Sequence, residues 1–338
     1  MRDLRGRPLR DLRLSVTDRC DLRCTYCMPE AEYAWLPRED ILTFEECERV
    51  VAAFAAAGVR SVRVTGGEPL LRRDLPAVIA RIANVEGIDE VSLTTNGTKL
   101  AAHAAALRAA GLARVTVSLD TLHPERHVVI AGRDNHATVL AGIGAVSGAG
   151  FAGTKINMVV LRGINDDELV DMLDFAATID AEVRFVEYMD VGGATNWKAD
   201  TVVSAAEIRG RIGDALGEPL AIGSRASAPA VRYQLPDGRV FGIIASTTTP
   251  FCAACDRSRV TADGLWYRCL YATDGTDLRT PLRDGASDAD LAELIARTWS
   301  QRDDQGAVDR LGAPRREASV PVTLLRRDPH LEMHTRGG

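Results

Sequence analysis

The chain has 338 residues, of which 46% are hydrophobic and 26% charged, a composition typical of soluble globular proteins that excludes wholesale disorder. Lys and Arg number 41 and Asp and Glu 47, and the resulting net charge of −6 argues against non-specific binding to nucleic acid or to a membrane. The first residues carry no apolar signal region, and the most apolar run, 50–59, is shorter than the roughly 18 residues that span a bilayer. We therefore expect a cytoplasmic protein.

Short runs rich in β-branched residues alternate with longer amphipathic runs. The short runs predict strands over residues 12–17, 61–65, 90–95, 114–119, 155–161 and 182–188. The longer runs predict helices over 44–57, 75–83, 100–110, 137–149 and 167–179. Thr43, with Glu46 three residues later, predicts a capping box, and Gly58, Gly111 and Gly150 stand where a left-handed residue ends a helix.

This alternation predicts parallel strands joined by right-handed crossovers. Six such units form either an open doubly wound sheet or a partial barrel, and periodicity does not choose between them. Both architectures place their chemistry at the carboxyl ends of the strands. Three polar motifs fall at such ends, namely Gly66-Gly67-Glu68-Pro69, Thr94-Thr95-Asn96-Gly97 and Ser118-Leu119-Asp120.

The pattern changes after about residue 204. A helix is predicted over 205–216, and strands over 231–235 and 240–245 flank a turn signal at 236–238. A second predicted hairpin joins 257–261 to 265–270, and a last helix covers 288–299. We therefore divide the chain into a first unit, 1–203, and an extension, 204–338.

Clustered cysteines in a long cytoplasmic chain indicate metal or redox chemistry more than disulfides. Cys20, Cys24 and Cys27 follow the first predicted strand, and three thiolates within eight residues can surround one soft metal centre. A [4Fe–4S] cluster normally takes four cysteines, so three leave one iron open for a ligand. The alternative is a zinc site completed by a distant histidine. Cys47 lies on a predicted helix and is interpreted as a small core residue.

A second trio of cysteines lies in the extension, at Cys252, Cys255 and Cys269. By itself such a trio is more often a structural zinc site. Arg257 and Arg259 lie between these cysteines, and their spacing on a strand places both on the same face. Two guanidinium groups on one face can bind phosphate oxygens, whereas the alternative is a pair of solvated arginines.

Three further features have both a functional and an ordinary structural interpretation. The Gly66–Pro69 segment allows close backbone approach and offers a carboxylate for an ammonium group, although it also fits an ordinary turn. Each of Arg13, Arg63 and Lys155, with Thr94, is by itself more often a surface or snorkelling side chain. The final Gly337 and Gly338 would ordinarily form a frayed end.

Residues 10–20 (RDLRLSVTDRC) and 22–29 (LRCTYCMP) resemble the signature of the radical S-adenosylmethionine (SAM) superfamily. The second trio and the Gly-Gly ending narrow the resemblance to the GTP 3′,8-cyclases of molybdenum-cofactor biosynthesis, the MoaA family. The resemblance covers nearly the whole chain. It departs at residues 333–336, where an Ile would precede the two glycines, and at Asp21 and Ser258.

The resemblance implies a partial (β/α)6 barrel with a C-terminal β-hairpin and helical extension, two [4Fe–4S] clusters and SAM. Cys20, Cys24 and Cys27 would hold the cluster that binds SAM, and Cys252, Cys255 and Cys269 the cluster whose open iron contacts guanine. The SAM-derived radical would take the 3′ hydrogen of GTP, and C3′ would then attack C8. By the same resemblance, the residues expected to contact SAM are Tyr26, Gly67, Ser118 and Met189. The residues expected to contact GTP are Arg13, Arg63, Thr94, Lys155, Arg257 and Arg259.

The family also implies that Arg257, Arg259, Gly337 and Gly338 take part in catalysis, the last two as a tail that reaches the active site. The implied partners are GTP, an external electron donor and a cyclic pyranopterin monophosphate synthase that receives the product; a homodimer is a further expectation. Two alternatives remain at this point: a peptide-modifying radical SAM enzyme with an additional cluster, and a zinc-stabilised nucleotide-binding module without catalysis.

Overall fold

The computed structural model describes residues 1–223, 227–313 and 317–337. Its strands form one sheet in the order β12 (Thr276–Asp277), β11 (Leu265–Tyr267), β10 (Arg257–Val260), β1 to β6 in chain order, β9 (Val240–Ile244), β8 (Val231–Gln234) and β7 (Leu220–Ile222). The first six strands confirm the predicted ones within one or two residues at each end. They are β1 (Asp11–Ser15), β2 (Ser61–Thr65), β3 (Glu90–Thr95), β4 (Arg114–Ser118), β5 (Lys155–Val160) and β6 (Glu182–Glu187).

The order of these six strands decides between the two architectures left open by periodicity. Each strand pairs in parallel with the next one along the chain, from β1 to β6, without a reversal of order. Right-handed crossovers that always advance in one direction place their helices on one face, as in a barrel, whereas a doubly wound sheet reverses direction. The terminal strands β7 and β12 are not hydrogen-bonded neighbours, so the barrel is partial.

Apolar and polar residues alternate along the strands, so that the hydrophobic core lies on one face of the sheet and the interior of the barrel on the other. In β1, Leu12 and Leu14 are fully buried in the main hydrophobic core, and Arg13 between them lies on the opposite face. The helices that cover the sheet are α1 (Phe44–Ala56), α2 (Leu75–Ala83), α3 (Leu100–Ala109), α4 (Pro124–Ala131), α5 (His136–Gly148) and α6 (Leu169–Thr178). The predicted capping box at Thr43 is present, and Cys47 is buried in the core as expected.

Helix α4 has no counterpart among the predicted helices. It begins with Pro124 at its first position and ends at Gly132, whose φ of 69° is left-handed. Both are ordinary signals for helix ends, but the segment spans only two turns. Its position matters, because its last carbonyls hold the loop that carries the first cysteine trio.

The C-terminal part extends the sheet at both edges. Both predicted hairpins are confirmed, since β8 (Val231–Gln234) pairs with β9 (Val240–Ile244), and β10 (Arg257–Val260) with β11 (Leu265–Tyr267), both antiparallel. Strand β9 adds in parallel to β6, and β10 adds in parallel to β1. The remaining elements are β7 (Leu220–Ile222), β12 (Thr276–Asp277), α7 (Ala205–Leu216), α8 (Arg279–Arg283), α9 (Asp288–Ser300), α10 (Gly306–Leu311) and α11 (Val322–Leu325). Within the described ranges, every helix is too short or too polar to cross a membrane.

Candidate active site

The first cysteine trio lies in the loop that follows β1. The amide of Arg23 donates to the carbonyl of Ala131 at 2.8 Å, and the amide of Thr25 to that of Ile130 at 2.9 Å, so the end of α4 anchors this loop. Cys20, Cys24 and Cys27 all line one cavity of about 140 Å³. Burial raises the pKa of each of the three thiols, that of Cys20 to about 12. Thiolates at this place therefore require a positive partner, which iron provides.

The glycines that follow β2 lie against this cysteine loop. The amide of Gly67 donates to the carbonyl of Thr17 at 2.9 Å. A Cβ on Gly66 would lie 2.3 Å from the Thr17 carbonyl oxygen, and one on Gly67 would lie 2.2 Å from that of Arg19. The close backbone approach predicted from the two glycines is confirmed, and it leaves the Gly67 backbone facing the cavity.

The acidic side chain of the same motif is bound to the protein. Glu68 is buried, and its carboxylate accepts hydrogen bonds from the Thr95 hydroxyl at 2.7 Å and from the amides of Asn96 and Leu70 at 2.7 and 3.0 Å. Burial raises its pKa to about 7, although these three donors lower it. Glu68 thus joins the loops after β2 and β3, and it also lines the smaller cavity.

Tyr26 and Ser118 border both cavities of the site. The Tyr26 hydroxyl donates to the carboxylate of Asp120 at 2.7 Å, and the other oxygen of Asp120 accepts from the amide of Val159 at 2.8 Å. Burial raises the pKa of Asp120 to about 6. Sequence reasoning did not select Asp120 as a site residue, although it is polar and lies two residues beyond Ser118 at the end of β4.

The second trio lines a larger cavity of about 240 Å³. Cys252 and Cys255 flank a single helical turn before β10, and Cys269 follows β11. The guanidinium of Arg7 donates to the carbonyl of Cys252 at 3.1 Å, and that of Arg302 to the carbonyl of Cys255 at 2.8 Å. Neither arginine was predicted, because no local pattern shows that the N-terminal segment and the end of α9 meet at this loop.

The charges around this second trio are positive. Burial raises the pKa of the Cys255 thiol, but the charges of Arg257 and Arg302 outweigh that effect and lower it to about 7. Soft thiolate donors at the edge of a cavity are the ligands that iron–sulfur clusters and zinc both take. Across the described ranges, no three cysteine, histidine or carboxylate side chains converge as ligands for a single metal ion.

Three guanidinium groups project into the larger cavity from adjacent strands. Strand pairing places Arg13 of β1 beside Arg259 of β10, and Arg257 lies two residues before Arg259 on the same strand. Burial together with the neighbouring guanidinium charges lowers the pKa of Arg13, and lowers that of Arg259 to about 10. The predicted shared face of Arg257 and Arg259 is confirmed, and the arrangement concentrates positive charge where an anion can bind.

The other predicted nucleotide contacts are Arg63, Thr94 and Lys155. Arg63 pairs with Arg13 across β1 and β2, and its guanidinium donates to the hydroxyls of Thr94 and Thr116, both at 3.2 Å. Thr94 lines both cavities, but Arg63 and Lys155 line neither. Lys155 is the first residue of β5, at the amino end of the barrel, where burial and neighbouring arginines lower its pKa to about 8.

The C-terminal tail enters this charged interior. The carbonyl of Gly337 accepts from Arg259 at 2.7 Å and from Arg13 at 3.1 Å. Its φ of 69° is left-handed, and a Cβ there would lie 2.4 Å from the Thr65 side chain. The tail is therefore docked, not frayed, at Gly337, whereas Gly338 lies outside the described residues.

The two cavities adjoin. Five residues line both of them: Tyr26, Thr94, Ser118, Asp120 and Met333. The smaller cavity also contains Gly67 and the first trio, and the larger contains Met189, the arginine row and the second trio. The structure thus brings together every described site residue predicted from the sequence except Arg63 and Lys155, which line neither cavity.

Two family descriptions match the chain. That of the Radical SAM superfamily matches residues 14–176, and that of Molybdenum Cofactor Synthesis C matches residues 181–308. Among curated proteins, GTP 3′,8-cyclase 3 of Mycobacterium bovis is 54% identical over all of this chain and 90% of its own length. GTP 3′,8-cyclase 1 of Mycobacterium tuberculosis is 52% identical over all of this chain and 95% of its own. The GTP 3′,8-cyclase of Xanthomonas axonopodis is 43% identical, covering 96% of this chain and 98% of its own.

Solved structures of low identity share the fold. SuiB of Streptococcus suis bound to S-adenosylmethionine superposes with a TM-score of 0.57 at 16% identity, covering 91% of this chain and 71% of its own. The same protein bound to its precursor peptide SuiA superposes with a TM-score of 0.59 at 17% identity, covering 91% of this chain and 67% of its own. These likenesses agree with the partial barrel and its extension.

Proposed function

This chain belongs to the GTP 3′,8-cyclase family, and from that premise we propose that it converts GTP into (8S)-3′,8-cyclo-7,8-dihydroguanosine 5′-triphosphate. This lyase reaction is the first step of molybdenum-cofactor biosynthesis. The family carries a [4Fe–4S] cluster and SAM. The observation that carries the proposal for this chain is the pair of adjoining cavities, one beside each cysteine trio, with a row of arginines in the larger one.

We assign the family's cluster to Cys20, Cys24 and Cys27, and SAM to the cavity that these residues line. When bound, the cluster and SAM supply one-electron cleavage chemistry and a carbon radical that takes a hydrogen atom from the substrate. Tyr26, held by Asp120, and Ser118 offer contacts where the two cavities meet. Gly67 exposes its backbone for close approach, and Met189 lines the larger cavity. These residues would hold SAM where the two cavities meet and would exclude water from that place.

We assign GTP to the larger cavity. Its triphosphate carries several negative charges, and Arg13, Arg257 and Arg259 offer guanidinium donors from two adjacent strands that line this cavity. Arg63 positions Thr94, and Lys155 adds positive charge from the amino end of the barrel. This concentration of positive charge binds an anion despite the net charge of −6 for the whole chain.

We further assign a second [4Fe–4S] cluster to Cys252, Cys255 and Cys269. Three soft donors at one end of the larger cavity suit such a group, and the lowered pKa of Cys255 favours the thiolate. A cluster held by three cysteines leaves one iron open. In this position it would orient the guanine base, and the neighbouring arginines would bind the phosphates.

The tail completes the proposal. Gly337, with Gly338 beyond it, closes the interior next to Arg13 and Arg259 and so takes part in catalysis by positioning these guanidinium groups. Five expectations from the sequence remain predictions. They are the division into a barrel unit, 1–203, and an extension, 204–338, the cytoplasmic location, the external electron donor, the synthase that receives the product, and the homodimer.

Reconstitution tests the proposal directly. Anaerobically loaded protein is analysed for iron and sulfide, and its reduced EPR spectrum is recorded with and without GTP. We expect two clusters per chain, one with a spectrum that GTP shifts, and equal amounts of 5′-deoxyadenosine and cyclised nucleotide once SAM and reductant are added. 5′-Deoxyadenosine without a cyclised nucleotide would overturn the cyclase assignment.

A matched pair of cysteine variants tests the second cluster. Cys269→Ala removes one ligand of the second trio, whereas Cys47→Ala removes a core thiol outside both trios. We expect Cys269→Ala to lose the GTP-sensitive EPR signal and about half of the iron, and Cys47→Ala to keep both. Two intact clusters in Cys269→Ala would remove this trio from the cluster site.

A further inference from the structure

His334 in the C-terminal tail is buried, and the residue is only 3% exposed. Among the residues that the structure describes, neither of its ring nitrogens, Nδ1 or Nε2, has a hydrogen-bond partner. The same side chain lines the smaller cavity together with Cys20, Cys24 and Cys27. Buried polar atoms in native proteins are nearly always hydrogen-bonded, so this imidazole faces a group that the cavity receives.

The ring is held firmly in its position. It packs edge-on against Tyr33, with ring centroids 5.3 Å apart, and against Trp35 at 5.8 Å. Both aromatic residues follow the first cysteine trio in the chain. On either side of His334, the amide of Met333 donates to the carbonyl of Gly192 at 3.0 Å, and the guanidinium of Arg336 donates to that of Leu270 at 2.9 Å. The ring therefore cannot turn to solvent while the tail is docked.

The tail lies over the cysteine loop itself. Burial lowers the pKa of His334 to about 3, and the charge of Arg23, which lies between Cys20 and Cys24 in the chain, contributes to this lowering. Two residues earlier, Glu332 lies beside Gly193, which packs directly against the carbonyl of Cys27. The Cys20 sulfur interacts with the Leu22 backbone, the Cys24 sulfur with the Tyr26 hydroxyl, and the Asn96 side-chain amide lies 4.0 Å from the Cys20 sulfur. The tail reaches the same cavity with Met333 and His334.

We propose that His334 is a positioning residue that donates a ring N–H to a sulfur atom of the cluster held by Cys20, Cys24 and Cys27. This inference rests on the proposed assignment of that cluster. Hydrogen bonds to cluster sulfurs stabilise the more negative, reduced form and so raise the reduction potential. Docking of the tail therefore makes the first cluster easier to reduce.

The test is an EPR-monitored redox titration of the reconstituted full chain without SAM or GTP. Subsequent addition of SAM identifies the first cluster as the one whose signal changes. The variants are His334→Phe, which keeps an aromatic ring between Tyr33 and Trp35, and the equal-sized pair His334→Asn, with an N–H donor, and His334→Leu, without one. His103→Phe on helix α3 is the control, because His103 lines neither cavity.

We expect a more negative potential in His334→Phe and His334→Leu than in the wild type or His103→Phe, with His334→Asn closer to the wild type. Hydrogen exchange at the amides of Met333 and Arg336 reports whether the tail stays docked. Equal potentials in the Asn and Leu variants would overturn the proposal, and so would a loss of SAM affinity at unchanged potential. Absence of the first cluster from wild-type protein, shown by iron and sulfide analysis, would instead contradict the proposed function.

Discussion

At the scale of single residues, the site is dominated by arginines that repel one another. Arg13 and Arg259 are adjacent across two paired strands, and burial with like charges nearby lowers the pKa of both. The Gly337 carbonyl satisfies one donor of each, but a carbonyl carries only a partial negative charge. These guanidinium groups therefore repel one another, and in the proposed assignment a triphosphate relieves this repulsion when it binds.

The variant Arg259→Ala measures how much one guanidinium group contributes to the free energy of GTP binding. We expect weaker GTP binding, by about 1.5–3 kcal/mol, because one charge-assisted contact is lost, and nearly unchanged SAM binding. Equilibrium titrations with each ligand on loaded protein give the two values. Arg49→Ala, at an exposed salt bridge with Asp288, is the matched control. A loss of SAM affinity equal to the loss for GTP would show that Arg259 is misassigned.

At the scale of elements, two loops from neighbouring strands fit together through glycines. The loop after β2 packs its Gly66 and Gly67 onto the carbonyls of the cysteine loop after β1. Gly67→Ala would bring a methyl group to 2.2 Å from the Arg19 carbonyl oxygen, so one loop must move. We expect reduced iron incorporation at the first trio and weaker SAM binding. Gly144→Ala, on helix α5 with nothing within 4 Å of the added methyl, is the control and should load fully.

A capping box at the start of α1 gives a prediction on stability alone. The Thr43 hydroxyl accepts from the amide of Glu46, and the Glu46 carboxylate accepts from the amide of Thr43. Thr43→Ala should lower the free energy of unfolding by about 1 kcal/mol, because it leaves an amide of the first turn without its partner. Denaturant unfolding measures the change, and equal midpoints for Thr43→Ala and wild type would contradict it.

Elements with strong periodic patterns were predictable, and short ones were not. Strands β2 and β3 and helices α2 and α7 match the sequence prediction to the residue, since each carries a buried apolar pattern with clear flanking signals. Helix α4 was missed because its two turns carry Val128 and Val129 on the exposed side and bury few apolar residues. The site shows the same division. The cysteines and glycines were visible as motifs, whereas Arg7, Arg302 and His334 reach it from distant parts of the chain.

At the scale of the whole molecule, the N-terminal segment and the C-terminal tail both contact the site. The N-terminal segment supplies Arg7 to the second cysteine loop, and the tail places Gly337 between Arg13 and Arg259. The sheet joins residues from both family regions in one hydrogen-bonded unit, because β10 pairs directly with β1. Docking of the tail thus acts on both cavities at once, and its strength depends on the contacts along residues 328–336.

His330 makes one of these contacts dependent on pH. Its ring nitrogens lie 2.7 Å from the carboxylate of Asp263, in the turn between β10 and β11, and 2.9 Å from that of Asp328. Burial lowers the pKa of His330, but the hydrogen bonds and charges of the two carboxylates outweigh it and raise the pKa above its ordinary value. A raised folded-state pKa stabilises docking fully below the unfolded pKa, near 6.5, and this stabilisation is lost as pH rises through the folded pKa.

We therefore expect the tail to loosen as pH rises above neutrality. Hydrogen exchange at Met333 and Arg336, corrected for the intrinsic effect of pH on exchange, should show falling protection in the wild type. His330→Gln keeps a polar side chain but does not titrate, so its protection should be lower at pH 6 and independent of pH. His123→Gln, at an exposed histidine outside the tail, should retain the wild-type profile. Flat protection in the wild type, or the same slope in His330→Gln, would contradict the assignment of this pH dependence to His330.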